Sequence, residues 1–278
     1  MGVVVLAAGG VVLARALGGQ DPLVWPAPTI ADTHVHEIVA DPEGDGVLVG
    51  AHAGLFRLRE AGAEPELVGE LYHDLMGLEA LADGRLIASG HPDLRTDLPV
   101  LSGFRVSEDG GRTWEAISLA GQADLHALIP SDGTLFAYDS SGERFLRSTD
   151  GGASWEEGGG LAQTADLVVS EETLLAATDA GLFASTDRGD TWERRGEETV
   201  TSLAVSELRL YAATVGGALL RSPDGGTSWE PVPDAPGEID LVRAVAGGLW
   251  VATHTNAILR GEPEGRGPWV EWYAGRPT

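Results

Sequence analysis

The chain predicts an all-β fold, a six-bladed β-propeller of four-stranded antiparallel blades, on three observations. First, an eight-residue turn recurs. Ser107–Trp114 reads SEDGGRTW, Ser148–Trp155 STDGGASW, Ser185–Trp192 STDRGDTW and Ser222–Trp229 SPDGGTSW, all fitting S-x-D-x-G-x-[ST]-W, with tryptophans 41, 37 and 37 residues apart. A fixed period of that size is the signature of a repeat architecture. Second, six apolar segments of similar build line up: Val47–Leu58, Leu86–Asp93, Thr134–Gly142, Thr173–Ser185, Arg209–Ser222 and Leu249–Gly261. Third, their alternation is strand-like, and no stretch sustains a helical period. The 39 glycines suit many short strands and tight turns.

From the N-terminus, Val3–Leu13 (VVVLAAGGVVL) is a short apolar run followed by Ala14-Arg15-Ala16, a small-x-small cleavage pattern. Residues 1–18 are expected to be a signal peptide or N-terminal membrane anchor. Residues 19–33 carry three prolines and no amphipathic period, so they read as a linker. Residues 34–275 form the propeller domain. Each unit has a short first strand, a second strand ending in small residues, a third strand, the Asp-containing turn and a fourth strand. Blade 1 has no Asp turn. Blade 6 has a degenerate one, with Trp269 near the tryptophan position; terminal repeats are commonly atypical.

The composition excludes several classes. The net charge is −25, with 43 acidic residues against 18 basic ones, all arginine. Such a surface repels nucleic-acid phosphates and anionic lipid headgroups, so no nucleic-acid partner is expected. With no cysteine, disulfides and thiolate metal sites are ruled out. A monomer outside the cytoplasm is the expectation.

The turn resembles the Asp-box, or BNR, repeat of the sialidase-like (glycosyl-hydrolase-like) propellers, over about residues 34–275. The resemblance places the turn on the hairpin between third and fourth strands, away from the active face. The local chemistry agrees: the Asp side chain can bond its own turn's N–H groups, Gly supplies backbone freedom and Trp packs the hairpin. These aspartates are therefore assigned no chemistry.

The seven histidines are His34, His36, His52, His73, His91, His126 and His254. His52 and His254 share one column of the repeat, just after the second strand. His91 falls at or beside it, with Asp139, Asp179 and Val215 in the other blades. His36 and His126 align at the first strands, with His34 two residues before His36 and His73 opening blade 2. The first strand starts where the second ends, so all seven should gather around the channel mouth. Neutral imidazole is the commonest transition-metal ligand, and a His-rich, Cys-free set favours copper or zinc ahead of iron. Met76, Asp74, Asp93, Asp124 and Asp139 could complete the shell. The long turn His91–Gly103 is a candidate lid over the mouth.

A metal ion or small molecule bound at this face is the leading expectation, with any catalytic role open. Two alternatives stand beside it. One is a glycoside hydrolase using carboxylates such as Glu37, Asp74, Glu79, Asp124 and Asp139. A sialidase proper fits poorly: Arg57 sits in a Phe-Arg pair echoed by Arg105, Arg147, Arg221 and Arg260, and no tyrosine has a local Glu partner. The other is a non-catalytic scaffold for a partner protein, since Asp-box propellers include photosystem II assembly factors and sortilin-type receptors.

Overall fold

The computed structural model describes residues 28–207 and 209–276. The predicted signal or anchor segment, and most of the linker, lie outside the described residues. From Val35 onward the chain folds as a six-bladed β-propeller. Twenty-four strands form six sheets of four, each antiparallel and each ordered as in the sequence. Blade 1 comprises Val35–Ala40, Val47–Ala51, Gly54–Leu58 and Glu66–Val68. Among the described residues the only helical element is one 3-10 turn, Ile30–Asp32, and no helix is long and apolar enough to cross a membrane.

The first strands of the blades are Val35–Ala40, Asp74–Ala80, Leu125–Ser131, Thr164–Ser170, Val200–Ser206 and Ile239–Val245. Each touches the first strand of the blade before and after it, so together they line the axis. Apolar residues facing outward from each blade meet those of the next in separate interblade layers. One such layer joins Val39, Leu48 and Leu55 of blade 1 to Leu75, Leu78 and Leu86 of blade 2. The layer between blades 6 and 1 contains Phe56, Trp250 and Ile30.

The ring closes without strand exchange, because blade 1 and blade 6 each hold four consecutive strands. Side chains supply the clasp. The Asn256 amide donates to the carbonyls of Ile30 and Thr33, and Arg276 donates to Ala31 O. The Gly62 N–H donates to Trp272 O at 3.0 Å.

The four recurrent turns link third and fourth strands, at the end of each blade opposite the histidines. In the turn of blade 3, Asp150 Oδ1 accepts the Ser154 N–H at 2.9 Å, and Oδ2 accepts the Ser154 hydroxyl at 2.6 Å. The Ser148 hydroxyl lies 2.8 Å from Asp150 Oδ1 and accepts the Gly152 N–H at 2.9 Å. These bonds, the Ser154 hydroxyl foremost, hold the Asp150 carboxyl down at about 2. Trp155 completes the turn, its ring edge-on to Phe104 at 5.5 Å. The aspartates are structural, as expected.

Each turn also docks on its neighbour. A Cβ added at Gly111, Gly152, Gly189 or Gly226 would fall 2.1–2.2 Å from Leu55, Phe104, Phe145 or Leu182, each on the third strand of the preceding blade. The second turn glycine is thus required by close approach as well as by its positive φ. Gly151 has φ +73° but open space around it, whereas Gly152 has φ +87° and meets the Phe104 ring. Chemical denaturation should therefore show Gly151→Ala costing about 1 kcal/mol, and Gly152→Ala about 2–4 kcal/mol from strain and overpacking together.

Candidate functional site at the channel mouth

Every first strand carries a β-bulge at the same place. Its register against the second strand slips by one residue around His36, Met76, His126, Ala165, Thr201 and Asp240. A bulge leaves the extra residue unpaired and re-aims its side chain. Two residues before it stand His34, Asp74, Asp124, Gln163, Thr199 and Glu238. Backbone pairing places His52 opposite His34, His91 opposite Asp74, Ser140 opposite Asp124, Asp179 opposite Gln163 and His254 opposite Glu238. His91 is therefore in register with His52 and His254. In blade 3 the column holds Ser140, one residue past the expected Asp139.

Three side chains converge most closely. His36 Nε2 is 3.0 Å from His52 Nδ1, His52 Nδ1 is 2.9 Å from Asp74 Oδ2, and His36 Nε2 is 3.3 Å from Asp74 Oδ1. One ligand atom from each of the three residues lies within 4.8 Å of the other two. No placement of protons satisfies all three contacts when the rings are neutral. If both nitrogens donate to Asp74, their N–H groups face each other; if one donates to the other, a lone pair faces the carboxylate. Burial, partly offset by the Asp74 bond, holds His36 below the ordinary imidazole value. Burial alone would raise Asp74, but its bonds to His36 and His52 outweigh this and hold it down at about 2.

The remaining histidines differ. His34 lies beside the trio, its ring edge-on to His36 at 5.1 Å and tilted against His52 at 5.9 Å. His91 lies 3.5 Å from Asp74 and 3.6 Å from Asp124, and His126 Nε2 lies 2.8 Å from Asp124 Oδ2. His254, exposed, has Nδ1 3.3 Å from Asp240. His73 stands apart. It is buried, and its Nδ1 accepts the Asp93 N–H at 3.0 Å. Burial foremost, with Arg105 nearby, lowers it to about 4. Its role is to brace the long turn of blade 2.

Two of the expected supplementary ligands are likewise engaged elsewhere. The Asp93 carboxylate accepts the N–H groups of Tyr72 and Arg95, both at 2.8 Å, as well as the Arg95 guanidinium. Asp139 accepts from Asp124 N, Ser141 and Arg144. The candidate lid is anchored at its base by Asp93 and turns Leu94, Leu98 and Val100 to solvent. Arg57 is buried and paired with Asp41 at 2.6 Å, as a structural reading of the Phe-Arg pairs implies.

Beneath the mouth lies a polar channel that the histidine pattern did not reveal. A cavity of about 250 Å³ is lined by Glu37, Glu79, His126, Asp166 and Arg243, among others. Arg243 crosses the axis. It grips Glu37 with Nε and with Nη2 at 2.7 Å, and its Nη1 donates to Asp166 and to Ser202, each at 2.7 Å. Blades 1, 4, 5 and 6 meet in this one guanidinium. Burial would lower its pKa, but Asp166 and Glu37 outweigh burial and raise it. Glu79 has no such partner. Burial, with the Glu37 charge added, pushes it up to about 8. The sequence signal was present: these residues stand one or three positions past the bulge, on one face of strands of period two.

Residues 95–201 match the DUF6242 beta propeller domain family. Among curated proteins, none matches the sequence. Among solved structures the chain is similar to an ancestral GH74 enzyme, at 13% identity and TM-score 0.57, covering 88% of this chain and 39% of that one. It is similar to YCF48 bound to D1 peptide, at 18% identity and TM-score 0.55, covering 88% and 83%. A chain of the nidogen/laminin complex aligns at 12% identity and TM-score 0.62, covering 84% and 93%. The chain spans about two fifths of the GH74 enzyme's length. At these identities the likeness establishes the propeller fold.

Two measurements check the channel. Arg243→Met should cost about 3–5 kcal/mol in chemical denaturation, because it leaves Glu37 and Asp166 buried and unpaired; adding Glu37→Gln should recover part of the loss. Glu79 binds its proton more tightly folded than unfolded, so its contribution runs against the usual carboxylate direction. Between about pH 4.5 and pH 8 the folded state holds a proton the unfolded state has lost, and stability falls as pH rises. Glu79→Gln should flatten that decline in melts taken across the range.

Proposed function

We propose that this protein is a metal-binding propeller whose mouth takes a divalent transition ion, copper or zinc, at His36, His52 and Asp74. The carrying observation is the contact triangle of 2.9, 3.0 and 3.3 Å among their ligand atoms. Zn–N and Zn–O bonds of about 2.0–2.1 Å give ligand–ligand edges of about 2.9 Å for octahedral and about 3.3 Å for tetrahedral coordination. The three atoms thus already stand at the spacing of one face of a coordination shell. A cation also resolves the proton conflict, since both imidazoles then present lone pairs and Asp74 presents its charge. His34 is near enough to supply an orienting contact. The surrounding charge of −25 favours any cation.

The apolar run Val3–Leu13 supports placing this activity outside the cytoplasm, by export or an N-terminal anchor. With three protein ligands a position stays open for water or substrate, the arrangement that catalytic sites keep.

A second reading is a partner-binding scaffold. Leu94, Leu98 and Val100 are exposed beside the mouth, Leu94 almost fully. The two neighbours of near-equal length are YCF48 with a bound peptide and a chain from a nidogen/laminin complex. The hydrolase reading gains less support: Glu37 and Asp139 are tied to arginines, and Asp74 and Asp124 face histidines.

Protein purified without a histidine tag should retain copper or zinc by mass spectrometry. Free metal at about 100-fold its dissociation constant should stabilise the fold by about 2.7 kcal/mol. His52→Ala and Asp74→Asn should each abolish both effects for zinc. No retained metal and no thermal shift in the wild type, after loading with either ion, would overturn the reading.

A further inference from the structure

A one-blade rotation about the propeller axis carries the His36–His52–Asp74 trio onto a second set of donors. The trio takes the bulge residue and the second-strand-end residue of blade 1, and the residue two before the bulge of blade 2. One blade on, the same three positions hold Met76, His91 and Asp124. Rotation onto blades 3, 4 and 5 instead yields sets containing Ser140, Ala165 and Val215, and onto blade 6 it yields Asp240, His254 and His34, of which His254 is exposed. The repeat therefore reproduces a complete donor set in the blade beside the first.

Geometry supports the His91–Asp124 pair of this set independently. His91 Nε2 is 3.6 Å from Asp124 Oδ2, and its Nδ1 is 3.5 Å from Asp74 Oδ2. Both gaps exceed the usual hydrogen-bond range of about 2.7–3.2 Å, and a neutral imidazole has one N–H for two carboxylates. They fit ligand atoms sharing a metal ion, whose tetrahedral edge is about 3.3 Å. Asp124 is 6% exposed, and its buried Oδ1 has no hydrogen-bond partner. A buried carboxylate oxygen left unpaired is costly unless a cation answers it. His126, the bulge residue of blade 3, stands 2.8 Å from Asp124 Oδ2 on the channel side and holds that carboxylate in place.

We propose that the mouth holds a second transition-metal site, formed by Met76, His91 and Asp124, beside the first. The thioether in the place of His36 is a soft ligand and tunes this site to copper, whereas the first site suits copper or zinc. His91 lies between the two sites, with Nδ1 toward Asp74 and Nε2 toward Asp124. The inference rests on the metal reading of the first site.

Copper titration of the full chain, with electron paramagnetic resonance on the loaded protein, tests it. The wild type should bind two Cu(II) per chain, with a signal broadened or diminished by coupling. Asp124→Asn and Met76→Leu should each bind one, with an uncoupled signal, and circular dichroism should show both folded. His36→Ala should retain one copper, lost on adding Asp124→Asn. One copper per chain in the wild type, unchanged by Asp124→Asn, overturns the second site and leaves the first. Two coppers retained in Asp124→Asn also overturn it. No copper at all overturns the second site and, where zinc is not retained either, the first.

Discussion

The bulge in every first strand is the constraint on which this site depends. A regular strand would pair residue by residue and keep alternate side chains in the interblade layers. One extra residue before the axis breaks that alternation, six times over, at His36, Met76, His126, Ala165, Thr201 and Asp240. Above the slip, side chains are released toward the mouth. Below it, the alternation resumes in the register that points Glu37, Glu79, Asp166 and Arg243 into the channel. Mouth and channel are thus two consequences of one backbone irregularity, repeated by the fold.

Charge is distributed to match. The acidic excess is spread over the surface, yet the axis is held by a single arginine between two carboxylates. That arrangement cements four blades but leaves Glu79 beside Glu37 without a cation of its own, and Glu79 keeps its proton instead. At the mouth Asp74, Asp124 and Asp240 each stand against a histidine. Asp74 and Asp124 have imidazole partners there, which is what separates these carboxylates from Asp93 and Asp139, already saturated by arginines and backbone N–H groups.

Much of the fold could be read from the chain. The S-x-D-x-G-x-[ST]-W turns set the blade period because their chemistry is local: an Asp, a Ser, a glycine and a Ser or Thr satisfy one another within eight residues. Their tryptophans and second glycines then dock on the preceding blade. The His52, His91 and His254 column was legible for the same reason, since strand ends repeat with the period. His73 was misplaced because the offset at the start of blade 2 was unknown. Its Nδ1 is spent on the Asp93 N–H, a contact set by the long turn rather than by the repeat.

The sequence by itself determined the six blades, the position of the turns and the histidines' common end of the ring, because periodicity and strand direction are properties of the chain alone. Only the tertiary structure decided which donors meet. His36, His52 and Asp74 come from two blades, and their distances depend on the bulge register and on the angle between blades. The same holds for the axis. Glu37, Asp166, Ser202 and Arg243 lie on four blades, and nothing local links them; closure of the ring brings them within reach of one guanidinium.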